Sequence, residues 1–232
     1  MTEIAARLAA VRGAVDAAAV RAGRDPDAVR LVAVSKTHPA AAVSAAAEAG
    51  QRVFGESRVQ EARDKIPGSP PGLEWHFIGH LQKNKVRQAL PLFSLFHSID
   101  RTALAEAMSR LAGETGSTVD GLLEVNISGE ATKHGFTPDE LRAAWPALLG
   151  LPHLRLRGLM TMAPHSDHPE DARPVFRALR ELRDELQGTH GHPLPELSMG
   201  MSGDFGPAIE EGATLVRIGS SIFGVRPPVN EK

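Results

Sequence analysis

Arg30-Leu31-Val32-Ala33-Val34-Ser35-Lys36-Thr37-His38-Pro39 is the stretch whose reading decides the fold. Leu31 to Val34 are apolar in succession, two of them β-branched, and Arg30 and Pro39 bound the run. This is the pattern of a strand buried on both faces, as in a parallel sheet. Alternation places Val32, Val34 and Lys36 on one face and Leu31, Ala33 and Ser35 on the other. Lys36 is therefore expected at the carboxyl end of the strand, following two apolar side chains toward the core. Low dielectric there disfavours the charged form, and a neutral amine is a nucleophile for aldehydes. The simpler reading is a lysine leaving its strand for water, so the rest of the chain must decide.

Outward from this stretch the pattern is strand, loop, helix, repeated. Residues 2–22 precede it as an amphipathic helix closed by Gly23 and the Asp25-Pro26-Asp27 turn. After it, 39–49 reads as an alanine-rich helix ending at Gly50. Residues 52–55 form a short second strand, and Ser57 with Gln60 has capping-box spacing for the next helix. Residues 74–79 and 84–90 make the third strand and its helix. Residues 92–99 make the fourth strand, with Asp100 capping a helix over 101–111. The fifth strand is 119–127. Thr137-Pro138-Asp139-Glu140 opens a helix to 149 with a cap, a proline at the first turn and a capping-box glutamate. Strand six is 154–160, followed by a helix ending near 187. Residues 196–199 are strand seven, 206–211 a short helix and 214–218 strand eight.

Eight strands alternating with helices are the count that closes a barrel. A doubly wound open sheet would accept the same alternation. The expectation is an α/β chain, a single (β/α)8 TIM barrel preceded by an N-terminal helix, with residues 1–232 as one domain and no second β domain. In a barrel every βα loop faces one end. Those loops, after Lys36 and at 55–57, 79–84, 126–135, 161–171, 200–203 and 219–221, are the glycine-rich and polar stretches of the sequence.

Composition narrows the class. A chain of 232 residues with formal charge -2 and a pI near 6.6 lacks the basic run needed to neutralise phosphates of nucleic acid or an anionic membrane. Its apolar stretches are far shorter than the roughly 20 residues of a membrane span. Arg7, Arg12 and Asp16 interrupt Ile4, Leu8, Val11 and Val15, so the amino terminus does not read as a signal peptide. Cysteine is absent, which removes disulfides and thiolate metal sites. A cytoplasmic protein is expected, and a monomer.

Two late stretches resemble a phosphate cradle: Ser198-Met199-Gly200-Met201-Ser202-Gly203-Asp204 and Arg217-Ile218-Gly219-Ser220-Ser221. Glycines let backbone approach a ligand, and Ser202 and Ser220 add hydroxyl donors. A phosphate site after strands seven and eight recurs in barrels. Closure makes strands one and eight neighbours, so Arg217 stands beside Lys36. An aldehyde-reactive lysine, a phosphate cradle and an arginine between them describe a site for pyridoxal 5'-phosphate. A class I aldolase would also use a lysine and a phosphate site, although its lysine need not adjoin the phosphate strands.

The combination Ala33-Val34-Ser35-Lys36-Thr37, Phe54-Gly55-Glu56, Trp75-His76-Phe77-Ile78-Gly79-His80-Leu81-Gln82, Arg157-Gly158-Leu159-Met160, Ser198-Met199-Gly200-Met201-Ser202 and Val216-Arg217-Ile218-Gly219-Ser220 closely resembles the pyridoxal phosphate homeostasis proteins, the PROSC or YggS family. The resemblance implies a barrel of the alanine racemase type, with the cofactor bound as an imine to Lys36. It places Ser202, Gly219 and Ser220, with Gly200, at the phosphate and Arg217 at the pyridine nitrogen. The family usually has asparagine where this chain has Ser57, so Ser57 is the weakest of these contacts.

Other motifs fall away. Val32 to Lys36 with Asp204-Phe205-Gly206 has a kinase flavour, but neither a glycine-rich loop nor a His-Arg-Asp loop accompanies it. Gly200-Met201-Ser202-Gly203-Asp204 lacks the last glycine of a hydrolase elbow. His165 with His168, and His190 with His192, lie in polar loops and read as solvated, so no metal site is expected. Asn126, Lys133 and Gly135 match a further family motif without an evident chemical role.

Two functions then compete: a carrier or buffer that holds the aldehyde as a reversible imine in vitamin B6 homeostasis and releases it to apo-enzymes, and an amino acid racemase. Alanine racemases use the lysine and a tyrosine on opposite faces and carry a second, β-rich domain. Here tyrosine is absent and the sequence ends about a dozen residues past strand eight. The carrier is the expected function, without substantial catalysis, and His80 is the nearest substitute for the missing base.

Overall fold

The computed structural model describes residues 2–130 and 132–224; the rest of the expected 1–232 domain lies outside the described residues. Eight strands close a barrel in sequence order: β1 (Arg30–Val34), β2 (Val53–Glu56), β3 (Glu74–Phe77), β4 (Leu95–Ile99), β5 (Val119–Glu124), β6 (Leu154–Met160), β7 (Glu196–Ser198) and β8 (Leu215–Ile218). Each pairs in parallel with the next, and β8 returns to β1 with Val32 opposite Arg217. The helices are α1 (Glu3–Arg21), α2 (Ala40–Glu48), α3 (Val59–Lys65), α4 (Val86–Ala89), α5 (Thr102–Gly113), α6 (Pro138–Leu149), α7 (Arg173–His190), α8 (Phe205–Glu210) and α9 (Ser220–Phe223).

Strand alternation sorts the apolar residues into two layers. Ala33, Phe54, Trp75, Phe96, Leu123, Leu159, Leu197 and Val216 belong to the layer packed under the helices. Val32, Leu95, Leu122, Met160 and Leu215 form a separate plug inside the barrel. The helices meet the first layer through spaced stripes, as in Phe176, Leu179, Leu182 and Leu186 of α7. Helix α1 buries Leu8, Val11, Val15, Ala18 and Ala19 and packs on α8 and α9, tying the amino-terminal segment to the last strand–helix units. Burial of Leu8 or Val15 contributes about 1.5–3 kcal/mol each.

Several strand ends fall short of their expected positions, and two caps differ. Helix α6 has the expected capping box between Thr137 and Glu140. Ser57 caps nothing: α3 starts at Val59 after Arg58 stays extended (φ -132, ψ 125), one residue too late for the Ser57 hydroxyl. Ser57 backbone lies instead against Gly79, where an added Cβ would sit 2.2 Å from the Ser57 carbonyl oxygen. Asp100 caps nothing either, because Arg101 is the N-cap of α5 and the Asp100 carboxylate pairs sideways, with Arg101 at 2.5 Å and His80 at 2.9 Å.

Strand β1 ends at Val34, and Lys36 stands in the turn beyond it. That turn is tied down from beneath. Lys65, buried at the end of α3, donates to the Ser35 carbonyl at 2.7 Å, to Glu56 at 2.6 Å and to Glu61 at 2.8 Å. Ser35 Oγ donates to the same Glu56 oxygen at 2.7 Å, and the Thr37 amide donates to Glu61 at 2.5 Å. Thr37 itself adopts φ 68, a left-handed conformation that a β-branched residue holds only when its surroundings impose it. Burial raises the Glu56 carboxyl above its ordinary value, and bonds from Lys65 and Ser35 pull it back. Removing one member of such a buried pair leaves the other charge uncompensated. Lys65→Met is therefore expected to lower unfolding stability by about 3–5 kcal/mol, and Glu56→Gln added to it should restore part of that loss. Urea unfolding of the single and double variants measures the coupling; strictly additive losses would show that the two groups act separately.

Candidate functional site

The carboxyl ends of β7, β8 and β1 surround a cleft of about 430 Å³ lined by Lys36, Val34, His38, Ile78, Met162, His165, Met201, Ser202, Gly203, Arg217, Gly219, Ser220 and Gly224. Closure of the barrel thus brings Lys36, Ser202, Arg217, Gly219 and Ser220 into one cavity, as the sequence leads one to expect. Gly200 and Ser57 are not among the lining residues. Gly200 shapes the turn: at φ +92, an added Cβ would meet Ala208 Cβ at 2.7 Å and Phe205 Cα at 3.0 Å. His80, expected as the nearest substitute for the missing base, is also not among the lining residues. The histidines that do line it are His38 and His165, which the sequence marked only as loop residues.

Two turns meet at one side of the cleft, where Ser220 Oγ donates to Ser202 Oγ at 3.3 Å. The first turn is closed by Asp204, whose Oδ1 accepts the Met201 amide at 2.6 Å. The second is opened by Gly219, the residue before α9, packed so closely that a Cβ there would lie 3.1 Å from the Val34 carbonyl oxygen. Hydroxyls of two turns thereby converge at the cleft that Lys36 also lines.

Arg217 forms the floor. It is 5 % exposed, and burial lowers its guanidinium to about 10, with Glu124 and Asp204 opposing the shift, so it stays cationic at neutral pH. Nη1 donates to Ser198 Oγ at 2.5 Å and Nη2 to the Thr161 carbonyl at 3.0 Å. A guanidinium has five N–H donors and no acceptor, so a ligand atom docking against its remaining N–H groups must itself be an acceptor.

Behind Arg217 a hydrogen-bonded chain runs through the barrel interior. His97 bridges Ser198 Oγ at 2.8 Å and His76 Nδ1 at 2.9 Å, and His76 Nε2 reaches Glu74 at 2.7 Å. Burial drives His97 well below the usual imidazole value, helped by the charges of His76 and Arg217, so His97 is neutral. Sequence reading singled out Ser198 only as the start of the cradle stretch, and it missed His97 and Thr161 as parts of the site. Their signal was present: His76, His97 and Ser198 are polar residues inside apolar strands, on the inward face shared with Val32 and Arg217.

Glu124, at the end of β5, was missed in the same way. It is 4 % exposed, and burial, reinforced by Asp100 and opposed by Arg217, pushes its carboxyl up to about 7. Such a group holds its proton in the fold while the unfolded chain has lost it. Its effect on stability is therefore absent below the unfolded value near 4.5, grows as pH rises through the interval to about 7, and is then constant. Glu124→Gln should match the parent chain near pH 4.5 and exceed it by about 3 kcal/mol above pH 7. Urea unfolding at both pH values checks this; a pH-independent difference would contradict the buried-carboxyl account.

The sequence profile of the alanine racemase N-terminal domain matches residues 7–227. The pyridoxal phosphate homeostasis protein of Aquifex aeolicus is 46 % identical over 221 residues, covering 95 % of this chain and 97 % of that protein. That of Escherichia coli K12 is 43 % identical over 233 residues, covering 97 % and 98 %. The structure of PipY of Synechococcus elongatus with pyridoxal phosphate bound superposes with a TM-score of 0.85 at 42 % identity, covering 96 % of this chain and all of that one. With near-complete coverage in both directions and a barrel that the alanine racemase N-terminal profile matches over residues 7–227, the chain belongs to the pyridoxal phosphate homeostasis protein family.

Proposed function

We propose that the chain binds pyridoxal 5'-phosphate in the cleft at the carboxyl ends of β7, β8 and β1 and serves as its carrier or buffer in vitamin B6 homeostasis. The observation that carries this is one cavity holding Lys36, the facing Ser202 and Ser220 hydroxyls, and the buried guanidinium of Arg217. The donor set fits the cofactor part by part. Lys36 Nζ would supply the amine for the aldehyde, holding it as an imine that water reverses. Ser202, Ser220 and the Gly219 turn hold the phosphate, with Gly200 setting the turn and Ser57 only supporting the neighbouring loop from behind. Arg217 offers N–H groups to an unprotonated ring nitrogen.

That last pairing is the reason to propose a carrier and not a catalyst. The bound cofactor supplies an electron sink whose strength is greatest with its ring nitrogen protonated. A guanidinium that remains cationic at neutral pH opposes that protonation. The absence of tyrosine from the sequence removes the usual second base. A racemase reading has one observation in its favour, since His165 lines the cleft together with Lys36. We place the protein in the cytoplasm as a monomer, with apo-enzymes as recipients and neither nucleic acid nor membrane as partner; among the described residues no helix is long and apolar enough to cross a membrane.

Borohydride reduction of the purified, cofactor-loaded chain should fix the cofactor on the peptide carrying Lys36, and Lys36→Ala should lose the imine absorbance while keeping its circular dichroism. An unchanged band in the variant would move the linkage to another lysine. Incubation of the loaded protein with L-alanine in heavy water should give negligible α-deuterium. Incorporation or D-alanine formation at roughly 1 per second or faster would replace the carrier with a racemase acting through Lys36 and His165.

A further inference from the structure

A second cluster of chemistry-bearing side chains sits at the same end of the barrel, outside the lysine cleft. His80 comes from the loop after β3, Asp100 directly follows β4, and His134 comes from the loop after β5. His80 Nδ1 lies 2.9 Å from Asp100 Oδ2. The His80 and His134 rings stack with centroids 4.1 Å apart and planes inclined by 23°. One ligand atom from each of the three residues lies within 4.8 Å of the others.

We propose that His80, Asp100 and His134 form a binding site for a divalent transition-metal ion, with zinc the best match to two imidazoles and one carboxylate. The donor set argues for the class: nitrogen-rich sites select zinc, cobalt, nickel or copper over magnesium or calcium, which take oxygen. Asp100 is held for the task. It is 7 % exposed, it does not cap α5, and Arg101 occupies its Oδ1, so Oδ2 is the oxygen presented to His80. The His80–Asp100 contact is the arrangement in which a proton occupies the place of a metal. Ligand atoms around a tetrahedral zinc are about 3.3 Å apart, given bonds near 2.0 Å, so closing from 4.8 Å asks for a shift of roughly an ångström or more. His80 and His134 are exposed and can make it by rotamer adjustment.

Three protein ligands on three separate loops leave one coordination position open to water or to a carboxylate. The ion would also clamp the β3, β4 and β5 loops on the side of the barrel mouth remote from Ser202 and Ser220. This site stands independently of the cofactor reading, because none of its three residues lines the lysine cleft.

Titration of the untagged full chain with zinc chloride by calorimetry, and with cobalt chloride by visible absorption, tests the proposal. One equivalent should bind in the micromolar range or tighter, with a ligand-field band for cobalt. Binding to His80→Ala and to His134→Ala should weaken about tenfold or more, while the double variant His190→Ala, His192→Ala keeps parent affinity. Circular dichroism of each variant confirms folding, which these exposed positions favour. Absence of binding below about 100 μM, or an equivalent of zinc that survives both His80→Ala and His134→Ala, would overturn the site and leave the cluster as a hydrogen-bonded, stacked surface group. Repeating the zinc titration on Lys36→Ala separates this outcome from any failure of the cofactor reading.

Discussion

Everything at the functional end depends on the seam where the last strand meets the first. The Arg30 amide donates to the Thr214 carbonyl at 2.8 Å, and the register that follows sets Val32 opposite Arg217. Residues far apart in sequence become neighbours only through this pairing. A slip of one residue would turn Arg217 out of the barrel and send Ile218 inward. Helix α1, packed on α8 and α9, covers the outside of the seam, so the amino-terminal helix contributes to the site without touching it.

The seam explains why the interior is divided as it is. An apolar plug of Val32, Leu95, Leu122, Met160 and Leu215 shares the barrel with Arg217, His97, His76, Ser198 and Glu124. An isolated guanidinium at this depth would be expensive. Bonds to Ser198 and Thr161, and the field of Glu124 and Asp204, offset its burial while leaving donors turned to the cleft. The Lys36 turn is built on the same principle from the outer side of the sheet, where Lys65 collects the Ser35 carbonyl and two carboxylates.

Much of this was legible before any coordinates. The valine-rich run before Lys36, the regular return of strand and helix, and the glycine–serine turns after the seventh and eighth strands point to the barrel and to most of the cleft. The errors share a cause. Ser57 and Asp100 were read as caps because their residue types suit that position, yet capping depends on where the preceding strand lets go, which spacing does not reveal. The same holds for His80 and His165: loop membership is visible in sequence, and the direction a loop leans is not. The interior polar residues could have been found by parity, since His76, Ser198 and Glu124 alternate with apolar neighbours and His97 shares the inward parity of Leu95, but their partners become apparent only when the sheet is rolled up.

The chain from Arg217 to Glu74 has two ends of opposite character: the guanidinium can only give hydrogens and the carboxylate only receive them. Held neutral by its burial, His97 keeps one ring hydrogen, so it can bridge Ser198 and His76 only by donating to one and accepting from the other. The two end links are fixed in sense, Arg217 giving to Ser198 and His76 giving to Glu74. The barrel interior thus carries a hydrogen-bond line whose polarity is pinned at both ends, by a donor at the cleft and by an acceptor beyond it. Glutamine at position 217, able to accept as well as donate, would lift the constraint at the cleft end, while the acceptor-only Glu74 would keep its own at the other.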